Sequence, residues 1–145
     1  MSARLTTAPI EPAALLAEVA DASHGATSLF VGTVRSTNEG REVNGIEYKA
    51  YEAMAVAEMN RILDEVNSLY PGVRSAAVHR VGHLKVGDTS VAIACAHAHR
   101  AQAIEACRHV IEDLKRRVPI WKREHYVDGT REWVGASHSH AEASR

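Results

Sequence analysis

The chain has 145 residues, 46% of them hydrophobic, which is enough for one domain with one core. Charged residues make up 24%, and the formal net charge of -1 gives no general attraction to nucleic acid or to a membrane surface. The longest apolar runs are far too short to span a bilayer, and no apolar block typical of a secretory signal follows the first residues.

The two cysteines, Cys95 and Cys107, each lie inside an apolar pattern. This predicts buried, reduced thiols rather than a disulfide framework. Together with the missing signal it predicts a cytoplasmic protein with neither nucleic acid nor membrane among its partners. A persulfide on either thiol is an alternative, although neither cysteine has a basic neighbour on its own predicted face.

Periodicity predicts the elements of the first half in chain order. They are a short helix over residues 12–20 with proline in its first turn, a strand over 28–34, a polar loop over 36–42, a strand over 43–51 and a long helix over 52–69.

The second half contains two strands, over 73–81 and 89–97, followed by a second long helix over 101–118. The strand over 89–97 is apolar or small on both faces, which predicts a central strand covered on both sides. Strands and helices alternate without regular βαβ spacing, so we predict a single-domain α+β fold. We expect the domain to span residues 1–135, with a flexible tail over 136–145.

Cations are concentrated around the end of the second long helix, in the segment Lys-Arg-Arg-Val-Pro-Ile-Trp-Lys-Arg-Glu over 115–124. Pro119 disfavours helical geometry in the residue before it, so the helix that carries Lys115 should end there. If the following segment folds back, the ammonium groups of Lys115 and Lys122 converge on one anionic ligand. Lys115 lies at the edge of the buried stripe, where partial desolvation would lower its pKa. Snorkelling of the ammonium group into water is the alternative.

Two further basic sites lie at the ends of predicted strands. His99 and Arg100 stand between the buried strand and the second long helix, where free backbone amides favour an anion. Arg35 ends the first predicted strand. These sites and the two lysines predict one shared pocket, with ordinary polar loops as the alternative.

A metal site is the other chemistry that the histidines could support. His97 and His99 would point the same way on a strand, but no further ligands stand at zinc spacing, and His138 and His140 fall in the predicted tail. We therefore predict no metal, and keep a histidine-dependent metalloenzyme as a rival hypothesis.

Five segments in this order closely resemble the large, catalytic subunit of molybdopterin synthase. The most distinctive is Val-Pro-Ile-Trp-Lys-Arg-Glu over 118–124, and the others cover residues 30–35, 48–55, 79–82 and 98–100. The resemblance runs from about residue 29 to residue 133, which is essentially the whole predicted domain.

The resemblance implies an α/β-hammerhead fold with an antiparallel or mixed sheet, in a chain that forms a homodimer. It implies a small ubiquitin-like sulfur-carrier subunit on each protomer, giving a heterotetramer. It also implies the reaction, in which the carrier's C-terminal Gly-Gly thiocarboxylate supplies sulfur to cyclic pyranopterin monophosphate. Two rounds of transfer form the dithiolene of molybdopterin, with no cofactor.

The residues that match the family's pterin and phosphate site are Thr33, Val34, Arg35, His99, Arg100, Lys115, Lys122, Arg123 and Glu124. Among them we predict catalytic roles for Lys115 and Lys122, and we expect Ile120 and Trp121 to form part of the wall of the channel for the carrier tail. A non-catalytic module that binds nucleotides or another anion is the alternative function.

Overall fold

The computed structural model of the chain describes residues 2–134. Its elements are, in chain order, β1 (Ser2–Thr6), α1 (Pro12–Val19), β2 (Ala26–Thr33), β3 (Thr37–Asn38), β4 (Arg41–Ala50), α2 (Glu52–Leu69), β5 (Arg74–Arg80), β6 (Gly82–Lys85), β7 (Thr89–His97), α3 (Arg100–Arg117), β8 (Ile120–Tyr126) and β9 (Arg131–Val134). This mixture of helices and mainly antiparallel strands confirms the predicted α+β class. The predicted tail lies outside the described residues.

The first sheet has the strand order β1-β5-β7-β2, with β1 parallel to β5 and the other pairs antiparallel. The residues of β7 from Ser90 to Ala96 are all buried, which confirms the prediction of a strand covered on both faces. Val91 and Ile93 pack in the core that α2 and α3 share, whereas Ala92 and Ala94 pack against α1. The small side chains on the α1 side let that short helix lie close to the sheet.

The second sheet has the order β3-β4-β8-β9, with β6 also paired to β4. One face of β4 carries Ile46 and Tyr48, which pack with Val34 and Leu84 in a small core, and we call this the inner face. Side chains alternate along a strand, so Glu47 lies on the opposite, outer face. The two faces of this sheet have different neighbours. The face that a side chain occupies therefore decides which groups it can contact.

The helix α3 ends where the sequence predicts. Val118, the residue before Pro119, has an extended backbone with φ -84° and ψ 129° and caps the helix. The chain then enters β8, which runs antiparallel to β4. Within residues 2–134, no helix combines the length and the apolar character that crossing a membrane requires.

Five strands were not predicted from the sequence, namely β1, β3, β6, β8 and β9. The two-residue strand β3 lies within the predicted polar loop and pairs with the start of β4. Strands β1, β6 and β9 have five residues or fewer and depend on pairing with other strands, as β1 does with β5. The case of β8 is different, because it carries charged or polar side chains on both faces and has no apolar alternation to detect.

Candidate active site

A cavity of about 160 Å³ lies between the inner face of the second sheet and the end of β2, beside the last turn of α3. Six of the residues predicted from the sequence line it together, namely Thr33, Val34, Arg35, Lys115, Lys122 and Glu124. The cavity therefore gathers three cationic side chains and one carboxylate from α3, β8 and the segment that follows β2. Such an arrangement favours an anionic ligand.

The end of β2 packs closely against β7, and backbone hydrogen bonds to the turn before β7 hold the segment that follows. A side chain at Gly32 would place its Cβ 2.8 Å from Val91 Cγ1, so only glycine fits without movement of the Val91 side chain. Val34 donates its N–H to the Asp88 carbonyl at 2.9 Å and accepts one from Gly87 at 2.9 Å. These contacts fix the backbone of the residue before Arg35 and so direct the guanidinium to the cavity.

Lys115 stands in the last turn of α3, two residues before the helix ends at Arg117. Burial lowers the pKa of its ammonium group, and the positive charge of Lys122 lowers that pKa further. The side chain keeps solvent-accessible surface because the cavity is open. The cavity walls nevertheless displace bulk water from around the ammonium group, and it is this displacement that governs the pKa. The prediction of a desolvated lysine at the edge of the apolar stripe therefore agrees with the pKa direction.

Lys122 and Glu124 alternate along β8 and share the inner face with Tyr48 and Ile46 of β4, their partners in the strand register. Lys122 Nζ lies 3.7 Å from Glu124 Oε2, and Glu124 is buried. The carboxylate thus orients the lysine while offsetting part of its charge. The fold-back that the sequence hypothesis required is achieved by the antiparallel pairing of β8 with β4.

His99 and Arg100 are not part of this cavity within one chain. They stand at the beginning of α3, where they line a separate depression with Gly25 and Ala26. At a rise of about 1.5 Å per residue, Arg100 lies roughly 22 Å along the helix axis from Lys115. The predicted single pocket therefore cannot be assembled from one copy of the chain.

Arg123 also lies away from the cavity, because adjacent residues of a strand point to opposite faces. Its guanidinium is on the outer face, where it donates to Glu47 Oε1 at 2.6 Å and stacks on Trp133 with 4.6 Å to the ring centroid. Trp121 lies on the same outer face, and neither it nor Ile120 lines the cavity. The structure therefore places these three residues outside the cavity of one chain.

The His97–His99 pair is held by its own hydrogen bonds. His97 Nε2 lies 3.1 Å from the Pro71 carbonyl, and its Nδ1 accepts the backbone N–H of His99 at 3.1 Å. Both ring nitrogens of His97 are thus engaged with the backbone. His97 therefore has no free ring nitrogen for the metal ion that the rival metalloenzyme hypothesis requires.

Both the sequence and the fold match known proteins. The family model described as "MoaE protein" matches residues 5–117. The chain belongs to the MoaE family. The molybdopterin synthase catalytic subunit 1 of Mycobacterium tuberculosis is 41% identical over 132 residues, which cover 91% of this chain and 89% of that protein.

Solved structures of MoaE relatives agree with this assignment. The crystal structure of molybdopterin synthase from Staphylococcus aureus matches with a TM-score of 0.87 at 35% identity, covering 91% of this chain and 96% of that one. One subunit in the complex of subunits 1 and 2 of the molybdopterin-converting factor from Helicobacter pylori shares the fold, with a TM-score of 0.77, 22% identity and 99% coverage of both chains. The resemblance found in the sequence is confirmed, and this MoaE-family chain is an enzyme of molybdenum cofactor biosynthesis.

Tyr48 and Ser90 are among the lining residues of the MoaE cavity that were not predicted as site residues. Tyr48 is almost fully buried, and burial raises the pKa of its phenol, while a hydrogen bond with Ser90 acts in the opposite direction. The alternation in the second predicted strand indicated that Tyr48 faces inward, and Ser90 is a polar residue in a buried strand. Neither signal could show that a cavity lies above them.

His79 lies beneath the cavity and connects its floor to the core. Its ring packs edge-on against Tyr48 with centroids 4.8 Å apart, and Nδ1–H donates to the Arg80 carbonyl at 2.8 Å. Burial, with a smaller contribution from the positive charge of Lys115, lowers the pKa of His79 to about 4. The imidazole is therefore neutral near pH 7.

This buried imidazole predicts a stability that falls in acid. The folded-state pKa is about 4 and the ordinary value is 6.5, so between these values the unfolded chain binds the extra proton. The free energy of unfolding should therefore decrease as pH falls from 6.5 towards 4, with His79 contributing at most roughly 3 kcal/mol. Urea unfolding of the wild type and of His79→Gln at several pH values measures this, since other groups titrate alike in both proteins. Equal pH slopes for the two proteins would contradict it.

The two cysteines are both free and buried, as predicted. They are neighbours in the core, where a hydrogen bond from the Cys95 thiol lowers the pKa of Cys107 to about 7 and the pKa of Cys95 is raised. Neither sulfur lines the cavity. The chemistry of the MoaE cavity therefore does not use a thiol of this chain.

Proposed function

We propose that the cavity binds cyclic pyranopterin monophosphate and receives the C-terminal thiocarboxylate of a small ubiquitin-like carrier, whose sulfur is transferred to the pterin. The observation that carries this proposal is the convergence of Arg35, Lys115 and Lys122 in a cavity whose lining includes no cysteine. A site that handles sulfur without its own thiol needs a donor from outside. A thiocarboxylate is such a donor and is itself an anion.

The cations have a specific task in this reaction. The phosphate of the pterin and the thiocarboxylate of the carrier are both negative, and they repel one another as sulfur approaches carbon. Fixed positive charges offset this repulsion and stabilise charge that develops on the reacting atoms. The guanidinium of Arg35 can donate two parallel hydrogen bonds to the phosphate, and the compact ammonium charge of Lys122 attracts the thiocarboxylate. The lowered pKa of Lys115 suits that residue for proton transfer.

A second copy of the chain would supply the basic residues that one copy cannot bring to the cavity. β2 is an edge strand of the first sheet, and its consecutive residues Leu29, Phe30 and Val31 are all partly exposed. Three neighbouring apolar residues on an edge strand favour pairing with another strand. A second copy paired through β2 would bury them in a two-fold interface.

Such a two-fold pairing of β2 is antiparallel, so the beginning of one strand meets the end of the other. The beginning of β2 adjoins the depression that holds His99 and Arg100, and its end at Thr33 adjoins the cavity. Pairing through β2 therefore brings His99 and Arg100 of one copy towards Arg35 and Lys115 of the other. The proposed active site is completed across a homodimer.

Co-expression of two impaired variants tests this arrangement, with activity measured at a pterin concentration well below the Kd of Arg100→Ala. Lys115→Ala and Arg100→Ala remove residues from the two halves of the composite site. If each site takes one half from each copy, random pairing should restore about a quarter of the wild-type activity, because one site in each mixed dimer is intact. Co-expressed Lys115→Ala and Lys122→Ala, which affect the same half, form the matched control and should restore none. Equal recovery in the two experiments would contradict a shared site.

Arg35→Ala and Arg100→Ala are expected to weaken binding of the phosphate-bearing pterin. A charge-assisted hydrogen bond to a bound anion contributes about 1.5–3 kcal/mol, so each variant should raise the Kd roughly tenfold or more. Arg41→Ala is the control, since that arginine stacks on Tyr126 and pairs with Asp128 rather than lining the cavity. Calorimetry that gives all three variants the wild-type affinity would remove the proposed phosphate site.

The proposed partner is a carrier that ends in Gly-Gly, in a heterotetramer of two copies of each chain. A relative of the same fold from Helicobacter pylori is described as a complex of two subunits, and a location in the reducing cytoplasm is supported by the two free thiols. Deleting the two terminal glycines of the carrier should abolish turnover. Most of the docking affinity should survive, because the carrier's globular face supplies the main buried area. A truncated carrier that still supports molybdopterin formation would overturn the proposal.

A further inference from the structure

We propose that Glu47, His83 and His125 form a binding site for a divalent zinc-type cation on the outer face of the second sheet. Their potential ligand atoms all lie within 4.8 Å of one another. Each residue comes from a different strand, β4, β6 and β8, so a bound ion would tie three strands together.

The register of the sheet creates this cluster. Glu47 is paired directly with His83 across β4 and β6, and His125 is paired with Gly45 across β4 and β8. His83 Nε2 lies 3.8 Å from Glu47 Oε2, and His125 Nε2 lies 3.7 Å from Glu47 Oε1. Ligand atoms of a tetrahedral zinc ion are roughly 3.4 Å apart, so the side chains would need to close by at most about 1.4 Å. The His83 side chain is 70% exposed and is free to rotate by that amount.

An unsatisfied polar atom points to a missing ligand here. His125 Nε2 is shielded from solvent and has no hydrogen-bond partner. Buried polar atoms are nearly always paired, and an unpaired one calls for an explanation such as an ion. Together with the His83 imidazole and the Glu47 carboxylate, this nitrogen supplies the set of donor atoms that a zinc-type ion takes.

The nearby arginines limit the site but do not occupy it. Arg123 donates to Oε1 of Glu47, which leaves Oε2 for the ion and holds the carboxylate in place as outer-shell partners of metal ligands do. Arg131 is paired with His125 across β8 and β9, and its charge lowers the affinity for any cation. Two imidazole nitrogens and one carboxylate oxygen suit zinc, with a water molecule completing the tetrahedron.

The site lies on the opposite face of the sheet from the cavity, so the ion would have no contact with the reacting atoms. Its effect is to clip β4, β6 and β8 together and so to stabilise the sheet that forms one wall of the cavity. Chelators should therefore leave the rate of sulfur transfer unchanged at moderate temperature while lowering the Tm. The sequence prediction of no metal considered only the His97–His99 pair and the two tail histidines, because Glu47, His83 and His125 are far apart in the chain.

Titration of the purified full chain with Zn²⁺ at pH 7.5, by calorimetry in competition with a chelator, tests the proposal. The wild type should bind one equivalent per chain and gain thermal stability. His83→Ala, at an exposed position where folding is not at risk, and His125→Ala should each weaken binding by roughly 100-fold or more. Titration with Co²⁺ should give the visible bands of a tetrahedral ion without a thiolate charge-transfer band, which excludes Cys95 and Cys107.

Two matched histidine variants identify where the ion binds. His97→Ala and the double variant His138→Ala/His140→Ala should retain the wild-type affinity, since the three proposed ligands are unchanged in both. The proposal is overturned if the wild type binds no equivalent of Zn²⁺, or if His83→Ala and His125→Ala bind it as tightly as the wild type. It is also overturned if the His138→Ala/His140→Ala variant loses Zn²⁺ binding while His83→Ala and His125→Ala keep it.

Discussion

Lys115→Ala is expected to lower the rate of sulfur transfer by about 100-fold or more while leaving the fold intact, because a group that transfers a proton or stabilises charge in the transition state contributes at least that much. Burial and the charge of Lys122 lower the pKa of this ammonium group, which brings it towards the range where proton transfer is efficient. Lys115→Arg should be nearly as slow, since arginine keeps its charge at any pH used and cannot give up a proton.

The measurement is a single-turnover assay with thiocarboxylated carrier and cyclic pterin, performed across a range of pH. Arg116→Ala is the matched control, because that residue stands next to Lys115 on the same helix but pairs with Asp113 and does not line the cavity. A Lys115→Ala enzyme that works at the wild-type rate would exclude a catalytic role. A Lys115→Arg enzyme that works normally would reduce that role to charge alone.

Lys122→Glu is expected to reduce sulfur transfer by roughly 100-fold or more, since it replaces an attraction to the incoming anion with a repulsion. The substitution also places a second carboxylate on the inner face beside Glu124, whose Oε2 now lies 3.7 Å from the lysine Nζ. Because the positive charge of Lys122 lowers the pKa of Lys115, its replacement by an anion raises that pKa. The pH dependence of the remaining activity should therefore move to higher pH.

Lys49→Glu provides the same change of charge on the outer face of the same sheet, one register position away. It should leave the transfer step largely unaffected once the carrier is bound. If Lys122→Glu accepts sulfur at the normal rate, or if Lys49→Glu is impaired equally in single turnover, the effect is one of general charge and the proposed role of Lys122 is lost.

Local sequence patterns correctly predicted the features that depend on a single helix or strand. Pro119 ends α3 because the restriction on the residue before proline is a property of the chain itself. The apolar character of β7 on both faces predicted a central strand, and the apolar surroundings of Cys95 and Cys107 predicted their burial. The apolar stripe along α3 predicted that Lys115 lies at the edge of the buried face of the helix, and the structure places it there, next to the buried Leu114. The family resemblance added the catalytic assignment, which no local pattern could supply.

The composition of the site was decided by the tertiary structure. The segment from Lys122 to Glu124 reads as one basic cluster, yet β8 sends Lys122 and Glu124 to the inner face and Arg123 to the outer face. A sequence that is polar on both faces carries no signal of which residues will share a side. The strand pairing also brings Glu47, His83 and His125 together, although they stand far apart in the chain.

Distance was the other property that the sequence could not supply. Arg100 and Lys115 belong to one predicted pocket by resemblance, but the helix between them holds them about 22 Å apart along its axis at 1.5 Å per residue. The amino-acid sequence by itself determined which residues carry charge, which are buried and where the helices end, because these depend on neighbours within a few residues. Only the tertiary structure decided which charges meet, since that depends on strand register, on the face each side chain takes and on the length of the element between them.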